Sequence, residues 1–424
     1  MQAPETHPRI GSVRTIATIL FCAGLLVAGN SLFLTLLPMR ANLEGFSTTY
    51  IGVLGSAYFG GFAVGCFFAP RLIMSVGHIR TFAGLAAVLT ALSLSYELAV
   101  EAYVWGALRF FSGIILAALF IVVESWLNDS STNLNRGRVL SAYIIVSNLL
   151  TMVGQQMVNL FEINAPGAFM AIAMLICLSI VPLTLIRTST PKPIPSARIN
   201  LRKLLAVSPV GVVGCLFVGA VEGAFWSMGP VFGQERGLNV VDVTILMSCF
   251  VLGGTLSQWP IGWLSDRMDR RLVISATAFG TFVTGIIIGF VHLPPGLPVY
   301  GMAVLLGAMM VPLYPLCLSH ANDNAPNAML VELSGGLLLI YSLGAALGPL
   351  AAALLMAGDR PGGLFLFIAV LLLGLAVVVC ARLLTTAATP GERGQRVEFV
   401  PVPKTSASVY ALEEDDETEQ RGQE

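Results

Sequence analysis

Long runs of apolar residues, separated by short polar segments, recur along the whole chain. Each run has about 20 residues or more, the length that an α-helix needs to cross a bilayer. The backbone inside a bilayer must satisfy its own polar groups, so helices are the expected form, and the alternating pattern of barrel strands is not seen. The pattern predicts twelve spans, at residues 15–38, 48–70, 79–98, 103–127, 138–160, 167–187, 207–232, 240–264, 271–292, 296–319, 329–356 and 361–385.

The polar segments divide this all-α membrane protein into two halves. The one sizeable segment between spans, residues 188–206, separates an N-terminal six-helix half (15–187) from a C-terminal six-helix half (207–385). A short tail, 1–14, precedes the first span. Residues 386–424 follow the last span and carry a run of acidic residues, which predicts a solvated, disordered tail.

The two halves resemble each other at an offset of 194 residues. The pairs at this offset are Gly113 with Gly307, Asn128-Asp129 with Asn322-Asp323, and Gly154 with Gly348. Repeated halves in a membrane protein place a binding site near the bilayer midplane, where the halves meet.

Composition agrees with burial in a membrane and excludes several classes of site. Hydrophobic residues make up 56% of the chain and charged residues 11%, whereas a soluble domain carries about 25% charged residues. All seven cysteines lie in predicted spans without a CxxC pair, so we expect neither a metal site nor disulfides. No phosphate-binding loop or catalytic cluster is recognisable, which predicts no cofactor, no enzymatic activity and no nucleic-acid partner.

The basic residues predict the orientation. With the N-terminus inside, 19 of the 23 Lys and Arg residues fall in cytoplasmic segments, and only Arg40, Arg236 and Arg360 fall in outer loops. This asymmetry obeys the positive-inside rule and predicts an inner-membrane, multi-pass protein with both termini cytoplasmic. The net charge of −1 averages a basic inner face with the acidic tail and indicates no partner.

The segment after the eighth span has the sequence Gly-Trp-Leu-Ser-Asp-Arg-Met-Asp-Arg-Arg, residues 262–271. It resembles the signature loop of the major facilitator superfamily, a glycine followed by D-R-x-G-R-R/K, with Asp269 in place of the glycine. The corresponding first-half segment keeps Arg71 and Arg80 but has lost the acidic residue.

Two further patterns carry the resemblance across residues 15–385. In span four, Arg109 and Gly113 look like the family's arginine–glycine motif. The stretches 124–128 and 320–323 resemble a bacterial, YcaD-type branch of the superfamily, whose members mostly have no defined substrate. The resemblance implies the twelve-helix major facilitator fold and alternating access by rocking of the halves.

The resemblance also implies a role for the loop charges. In the family, the acidic residue and the arginines of this loop tie helix ends together on the cytoplasmic side and stabilise one access state. A gating role is therefore expected here, while basic residues that only fix the topology are the alternative. The residues concerned are Asp266, Arg267, Arg270, Arg271, Arg71 and Arg80.

Charged residues inside spans are costly, about 2.5–3.5 kcal/mol on insertion scales, and each requires an explanation. Glu222 lies about 22 Å into span seven at 1.5 Å per residue, too deep to reach water easily, and could bind and release a proton. Trp226, one turn on, could stack on a ring or a cation. A carboxyl that only hydrogen-bonds a neighbouring helix is the alternative.

The other charged positions lie closer to helix ends. The family motif places the arginine matching Arg109 in a central cavity, although Arg109 could also extend to the outer interface. Charge pairing at helix ends is the expected role of Glu124, Asp129, Asp323 and Glu332. The expected partner of Glu124 is an arginine such as Arg136. Helix capping is the default for Glu332, in the first turn of its span.

Span five carries a polar stripe. Asn148, Thr151, Gln155 and Asn159 fall within an arc of about 80° at 100° per residue, and Asn30 adds a polar residue in span one. Such a stripe faces either a cavity or another helix, and hydrogen bonding between helices is the alternative to cavity lining.

Together these observations predict a monomeric secondary transporter of a small organic solute, coupled to protons. Drug or metabolite efflux by the same fold is an alternative, and a non-transporting sensor or scaffold that acts through the acidic tail is another. The family's antiporter motif has Gly-Pro in span five, where this chain has Gly154-Gln155, which weakens the efflux alternative.

Overall fold

The computed structural model describes residues 13–131, 135–184, 201–326, 329–358, 360–385 and 399. The predicted N-terminal tail lies almost entirely outside the described residues, as do most of the central segment and all of the acidic tail except Phe399. Within the described ranges the secondary structure is helical, with no strand.

Fourteen α-helices account for the described secondary structure, together with a 3₁₀ turn at Val158–Leu160 after α5. They are α1 Val13–Leu43, α2 Thr48–Val76, α3 His78–Leu98, α4 Ala102–Asp129, α5 Arg136–Met157, α6 Gly167–Thr184, α7 Leu201–Val207, α8 Pro209–Glu235, α9 Val240–Arg267, α10 Arg270–Phe290, α11 Leu297–Met310, α12 Leu313–Asn322, α13 Leu330–Met356 and α14 Gly363–Thr385.

The twelve predicted spans are confirmed, since twelve segments among the described residues are long and apolar enough to cross a membrane. Two details differ from the prediction. The tenth span is divided between α11 and α12 at Val311 and Pro312, where the proline has no N–H for the helical ladder. The short helix α7 begins within the segment that was expected to be a loop.

Several helices begin at polar side chains that cap their exposed N–H groups. Ser47 accepts a hydrogen bond from the backbone N–H of Tyr50 at the start of α2. Ser208 does the same for Gly211 at the start of α8, where Pro209 occupies the first helical position. These capped starts interrupt the apolar pattern and set the helix boundaries at the membrane surfaces.

The sequence repeat corresponds to repeated packing. A side chain at Gly113 or Gly307 would collide with a backbone carbonyl of the helix two spans earlier, so that each position brings two backbones together. Gly154 and Gly348 make equivalent close approaches to the helix four spans earlier in their own halves. The four carbonyls belong to Tyr58, Phe250, Ala28 and Ala220, in the same order.

We expect Gly348→Val to destabilise the protein by about 1–3 kcal/mol, the usual cost of overpacking a core. The added methyl groups would overlap the Ala220 carbonyl and force α8 and α13 apart. The measurement is the midpoint of thermal unfolding in detergent. Gly301→Ala is the control, because its new methyl group meets no atom within 4 Å; an equal loss of stability in both variants would contradict the prediction.

The ends of the helix bundle differ in charge. We call the end at which α1 begins the basic face, since it carries Arg71, Arg80 and the loop from Asp266 to Arg271. The opposite end, where α1 ends and α2 begins, is called the outer face. Eight of the membrane-crossing segments, those formed by α1, α2, α4, α5, α8, α9, α11 with α12, and α13, supply residues to a space between the halves.

Candidate functional site

A cavity of about 320 Å³ lies between the two halves, near the middle of the helices. Both halves contribute to its wall, which is mostly apolar and aromatic with a few polar groups, as is usual for small-molecule sites. The lining residues are Val27, Asn30, Ser31, Leu34, Tyr58, Phe59, Phe62, Phe120, Tyr143, Ile144, Ser147, Asn148, Thr151, Glu222, Trp226, Phe250, Val251, Thr255, Gln258, Val311, Tyr341, Ser342 and Ala345.

Glu222 lies at the centre of α8 and is 1% exposed. Its Oε2 accepts a hydrogen bond of 2.6 Å from the hydroxyl of Tyr341 on α13. Gly219 and Gly223 flank the carboxyl and let α13 approach closely, since a side chain at either position would meet the backbone of Tyr341 or Ala345. Close helix packing therefore fixes a carboxyl at the cavity wall, midway through the membrane.

Aromatic rings surround this carboxyl on the C-terminal side. Trp226 is one turn beyond Glu222 and also lines the cavity. Its indole meets the ring of Phe250 edge-on at 5.8 Å, and the ring of Tyr341 contacts Tyr314 at 4.8 Å. Trp226 was recognisable in the sequence as a candidate ring surface, and the structure places both it and Tyr341 beside Glu222.

Asn30 and Arg109 occupy different positions relative to the cavity. Asn30 lines it and accepts a 3.4 Å hydrogen bond from the hydroxyl of Tyr58. Arg109 lies behind this layer, 2% exposed, with its guanidinium 4.5 Å from the centre of the Tyr58 ring and 5.0 Å from that of Phe33. Arg109 thus does not extend to the outer interface, and aromatic rings separate it from the cavity.

Glu124 has a contact that the sequence did not predict. It is 1% exposed, and its Oε1 accepts a 3.4 Å hydrogen bond from the hydroxyl of Tyr143, a cavity residue on α5. Charge pairing of Glu124 with an arginine such as Arg136 stays a prediction, and Tyr143 is the hydrogen-bonding partner that the structure adds. Tyr143 and Ser147 precede Thr151 by eight and four residues, a helical spacing that could have revealed this face of α5.

The polar stripe of α5 serves two different regions. Asn148 and Thr151 line the cavity. Gln155 and Asn159, one and two turns farther on, instead contact α9 of the other half: Ser248 donates to Gln155 at 2.9 Å, and Asn159 donates to Thr244 at 2.8 Å. The sequence missed Gln156, which donates to Ser248 at 2.8 Å and to the Thr244 carbonyl at 3.0 Å.

The halves are joined on the outer side of the cavity. Besides the α5–α9 contacts, Asn42 donates to Gln234 at 3.1 Å, and Ser56 accepts from the Leu350 N–H at 3.2 Å. A side chain at Gly55 would overlap Ser227 and Pro349, so α2 lies directly against α8 and α13. These hydrogen bonds between the halves lie toward the outer face. We call this set of contacts the outer seal.

At the basic face, the loop between α9 and α10 forms a compact charge cluster. The Arg270 guanidinium lies 3.1 Å from Asp266 and 2.7 Å from Asp323, the residue that follows α12. Arg271 pairs with Asp269 at 2.8 Å, and Arg267 stacks on the ring of Trp263 at 3.8 Å. The two acidic groups around one buried arginine tie α9, α10 and α12 together.

This arrangement coincides with a match to a known family. The model of the Major Facilitator Superfamily matches residues 19–334 and 211–412, which together span most of the chain. The chain belongs to the major facilitator superfamily. It is 30% identical over 362 residues to the uncharacterized MFS-type transporter YcaD of Escherichia coli O139:H28 (strain E24377A / ETEC), covering 84% of this chain and 94% of that one.

Solved structures of superfamily members share the fold. A mutant of the nucleoside transporter NupG aligns with a TM-score of 0.72 and 13% identity, over 87% of this chain and 99% of that one. A bacterial homologue of the human lysosomal transporter Spinster, in an inward-facing and occupied conformation, aligns with a TM-score of 0.68 and 14% identity, over 89% and 96%. At these identities the likeness establishes the fold alone.

The superfamily loop shows how the chain accommodates an aspartate where the family has glycine. Asp269 has φ −65° and ψ 118°, an extended conformation that any residue adopts. Its carboxylate caps α10 by accepting from the Arg271 N–H at 3.0 Å. The Arg271 guanidinium lowers the pKa of the Asp269 carboxyl below its ordinary value, so this cap is charged throughout the neutral range.

The first-half counterpart of the loop is built differently. Arg71 and Arg80 are exposed, as is Asp129 at the end of α4. In place of an acidic residue, His78 is buried and its Nε2 lies 3.2 Å from the Ser125 hydroxyl. The two halves are therefore asymmetric at the basic face, and the ion cluster belongs to the C-terminal half.

Glu332 forms an ion pair at the start of α13. Its Oε2 lies 3.1 Å from the Lys203 Nζ on α7. The residue lies in the first turn of α13, where the helix dipole favours a carboxylate. The short helix α7, within the segment that was expected to be a loop, brings the lysine within reach of this carboxylate.

Phe399 adds a contact from the C-terminal tail to the superfamily loop. Its backbone N–H donates to both carboxylate oxygens of Asp266, at 3.2 and 3.4 Å. Its ring is buried against Gly262, where any side chain would collide with it. Gly262 therefore provides the space in which Phe399 packs against α9.

We expect Asp323→Asn to destabilise the protein by somewhat less than the ~3–5 kcal/mol lost when a fully buried ion pair is broken. The variant leaves the Arg270 guanidinium, whose side chain is 2% exposed, with Asp266 as its remaining carboxylate in this cluster. Thermal unfolding in detergent measures the loss. Glu101→Gln at an exposed position is the control, and equal unfolding midpoints for Asp323→Asn and wild type would contradict the prediction.

Proposed function

We propose that this protein is a secondary active transporter that moves a small organic solute across the inner membrane in exchange for, or together with, protons. One observation carries the proposal: the carboxyl of Glu222, at the centre of α8, lies on the wall of a cavity between two helical halves. The superfamily membership supports transport as the class of function. The cavity is the size of a small-molecule site.

The chemistry of Glu222 supports proton coupling. An ionised group at the middle of a membrane helix costs about 2.5–3.5 kcal/mol, and binding of a proton removes the charge. Glu222 is held by Tyr341, whose hydroxyl can donate to the carboxylate and accept from the protonated acid. Both protonation states therefore have a hydrogen-bonding partner, which a group that loads and releases protons needs.

The position of the outer seal supports rocker-switch alternating access. Polar contacts and small residues join the halves on the outer side of the cavity, and such contacts can be broken without exposing a large apolar surface. Rocking of one half against the other around the fixed site would open the outer side while the basic face closes. The basic face is then cytoplasmic, with both termini on that side.

Flux measurements on the purified, reconstituted protein test this function. Metabolites that raise the unfolding temperature of the purified protein in a library screen are the candidate solutes. Each is then tested for uptake into proteoliposomes with and without a pH gradient. We expect at least one solute to accumulate only when the gradient is present. A second measurement uses the variant Ser147→Cys in a protein whose seven native cysteines have been replaced. The rate at which a membrane-impermeant thiol reagent labels this cysteine is measured from each side of the membrane.

We expect the reagent to reach this cysteine from the basic face in the resting protein, and from the outer face when solute and a pH gradient are supplied. Absence of flux for every hit, together with labelling from one side under all conditions, would show that the protein is not a transporter. A sensor or scaffold would give that result.

A further inference from the structure

We propose that the solute is a monovalent organic cation with an apolar or aromatic body. This inference rests on the proposed transport function and specifies the chemical class that the central cavity selects. Three features of the described cavity carry it: the sign of its charge, the orientation of its hydroxyl groups and the composition of its apolar wall.

The charge of the lining favours a cation. Among the described lining residues, Glu222 is the one carboxyl, and none is Lys, Arg or His. A single positive charge on the solute would balance an ionised Glu222, whereas an anion would place two like charges in a medium of low dielectric constant. A divalent cation would leave one charge uncompensated in the same cavity.

Three tyrosines at the cavity wall donate their hydroxyl protons to side chains of the protein. Tyr341 donates to Glu222, Tyr143 donates to Glu124 and Tyr58 donates to Asn30. A hydroxyl has one proton to donate and two lone pairs to accept with. With the proton of each hydroxyl donated to a protein group, the tyrosine oxygens can act toward a ligand only as acceptors, and two of the three hydroxyls donate to a carboxyl group.

The charged groups behind the wall reinforce this bias. In the N-terminal half, Glu124 lies one hydrogen bond from the cavity through Tyr143. The one cation nearby, Arg109, faces the rings of Phe33 and Tyr58 and is absent from the lining. Its guanidinium packs against the faces of these two rings, and the Tyr58 ring lies between it and the cavity.

The apolar part of the wall fits the body of such a cation. Phe59, Phe62 and Phe120 line the N-terminal side, and Trp226 and Phe250 line the C-terminal side. Aromatic faces attract cations, most strongly when water is excluded, in addition to burying apolar surface. The volume of about 320 Å³ accommodates a compact molecule of one or a few rings.

Equilibrium binding to the full-length protein in detergent tests the inference. Radiolabelled tetraphenylphosphonium is the probe, and unlabelled benzyltrimethylammonium is a smaller competitor with the same charge. Phenylacetate is a soluble aromatic anion that does not precipitate the phosphonium, and triphenylphosphine oxide is a related neutral triaryl compound. We expect saturable binding of the phosphonium, displacement by the ammonium, and no displacement by the anion or the neutral compound at the same concentration.

Binding affinities of three variants test whether the phosphonium occupies the central cavity. Glu222→Gln should weaken phosphonium binding by at least about tenfold, which corresponds to 1.4 kcal/mol, and Trp226→Ala should weaken it as well. Glu332→Gln, which removes a carboxylate outside the cavity, should bind like wild type.

The outcomes separate this inference from the proposed function. Equal affinity for the anion or the neutral compound, no binding of either cation, or unchanged affinity in Glu222→Gln would overturn the inference. If solutes from the library that are anionic or neutral are nevertheless accumulated, the protein is still a transporter and only the assignment of the class is wrong. If no solute of any charge is transported, the proposed function itself fails.

Discussion

Proteoliposomes containing Glu222→Gln are expected to lose proton-driven accumulation of the solute, by at least about tenfold relative to wild type. Glutamine keeps the size and hydrogen-bonding capacity of the side chain, so the contact with Tyr341 can persist, but the side chain no longer exchanges a proton. Solute exchange in the absence of a gradient requires no net proton movement and should remain measurable.

The measurement is uptake against a pH gradient beside exchange at symmetric pH, in the same vesicles. Tyr341→Phe removes only the hydrogen bond to Glu222 and should give a smaller loss of accumulation. Glu332→Gln is the matched control, since it removes a carboxylate that is paired with Lys203 and distant from the cavity lining. Accumulation by Glu222→Gln with the proton dependence of wild type would exclude Glu222 as the coupling group.

The spans could be predicted from the sequence because hydrophobicity over about 20 residues is a local property. The helix ends were less accessible. α1 extends to Leu43 and α2 to Val76, beyond the predicted ends, because each helix continues past the first arginine, Arg40 or Arg71, that interrupts its apolar run. The break at Pro312 lay inside an apolar run, and hydropathy alone does not register it.

Candidate residues on one helix could be found, but their assignment to a region depends on the other half of the molecule. Asn148 and Gln155 belong to one polar stripe of α5. Because α9 lies against only one end of this stripe, Gln155 becomes part of the outer seal and Asn148 lines the cavity. The contact between Glu124 and Tyr143 was missed for the same reason, because it joins two helices whose relative rotation the sequence does not specify.

The internal repeat, in contrast, was recognisable in the sequence, and it corresponds to matching helix contacts in the two halves. Gly113 and Gly307 were paired by their offset, and both hold their helix against a backbone carbonyl. A glycine at a backbone contact tolerates no side chain, so the constraint appears in the sequence as the residue type itself. For this reason the symmetry of the halves could be predicted from the sequence, whereas the cavity-lining residues could be predicted only in part.

The glycines at the outer seal lead to the second large expected effect. We expect Gly55→Leu to abolish transport by preventing closure at the outer face. A side chain at this position would overlap Ser227 and Pro349 of the other half, and leucine cannot be accommodated unless the halves separate there. If the closed and open arrangements differ by a few kcal/mol, an overlap of this size shifts the population toward the outward-open one.

The readout is the labelling of the cysteine at Ser147, which should become reactive from the outer face even without solute. Gly60→Leu is the matched control on the same helix, because a Cβ added at Gly60 meets no atom within 4 Å. That variant should retain transport and the labelling pattern of wild type. Gel filtration and thermal unfolding establish that both variants are folded. A folded Gly55→Leu protein that transports normally would show that α2, α8 and α13 need not come together during the cycle, and alternating access through this seal would be wrong.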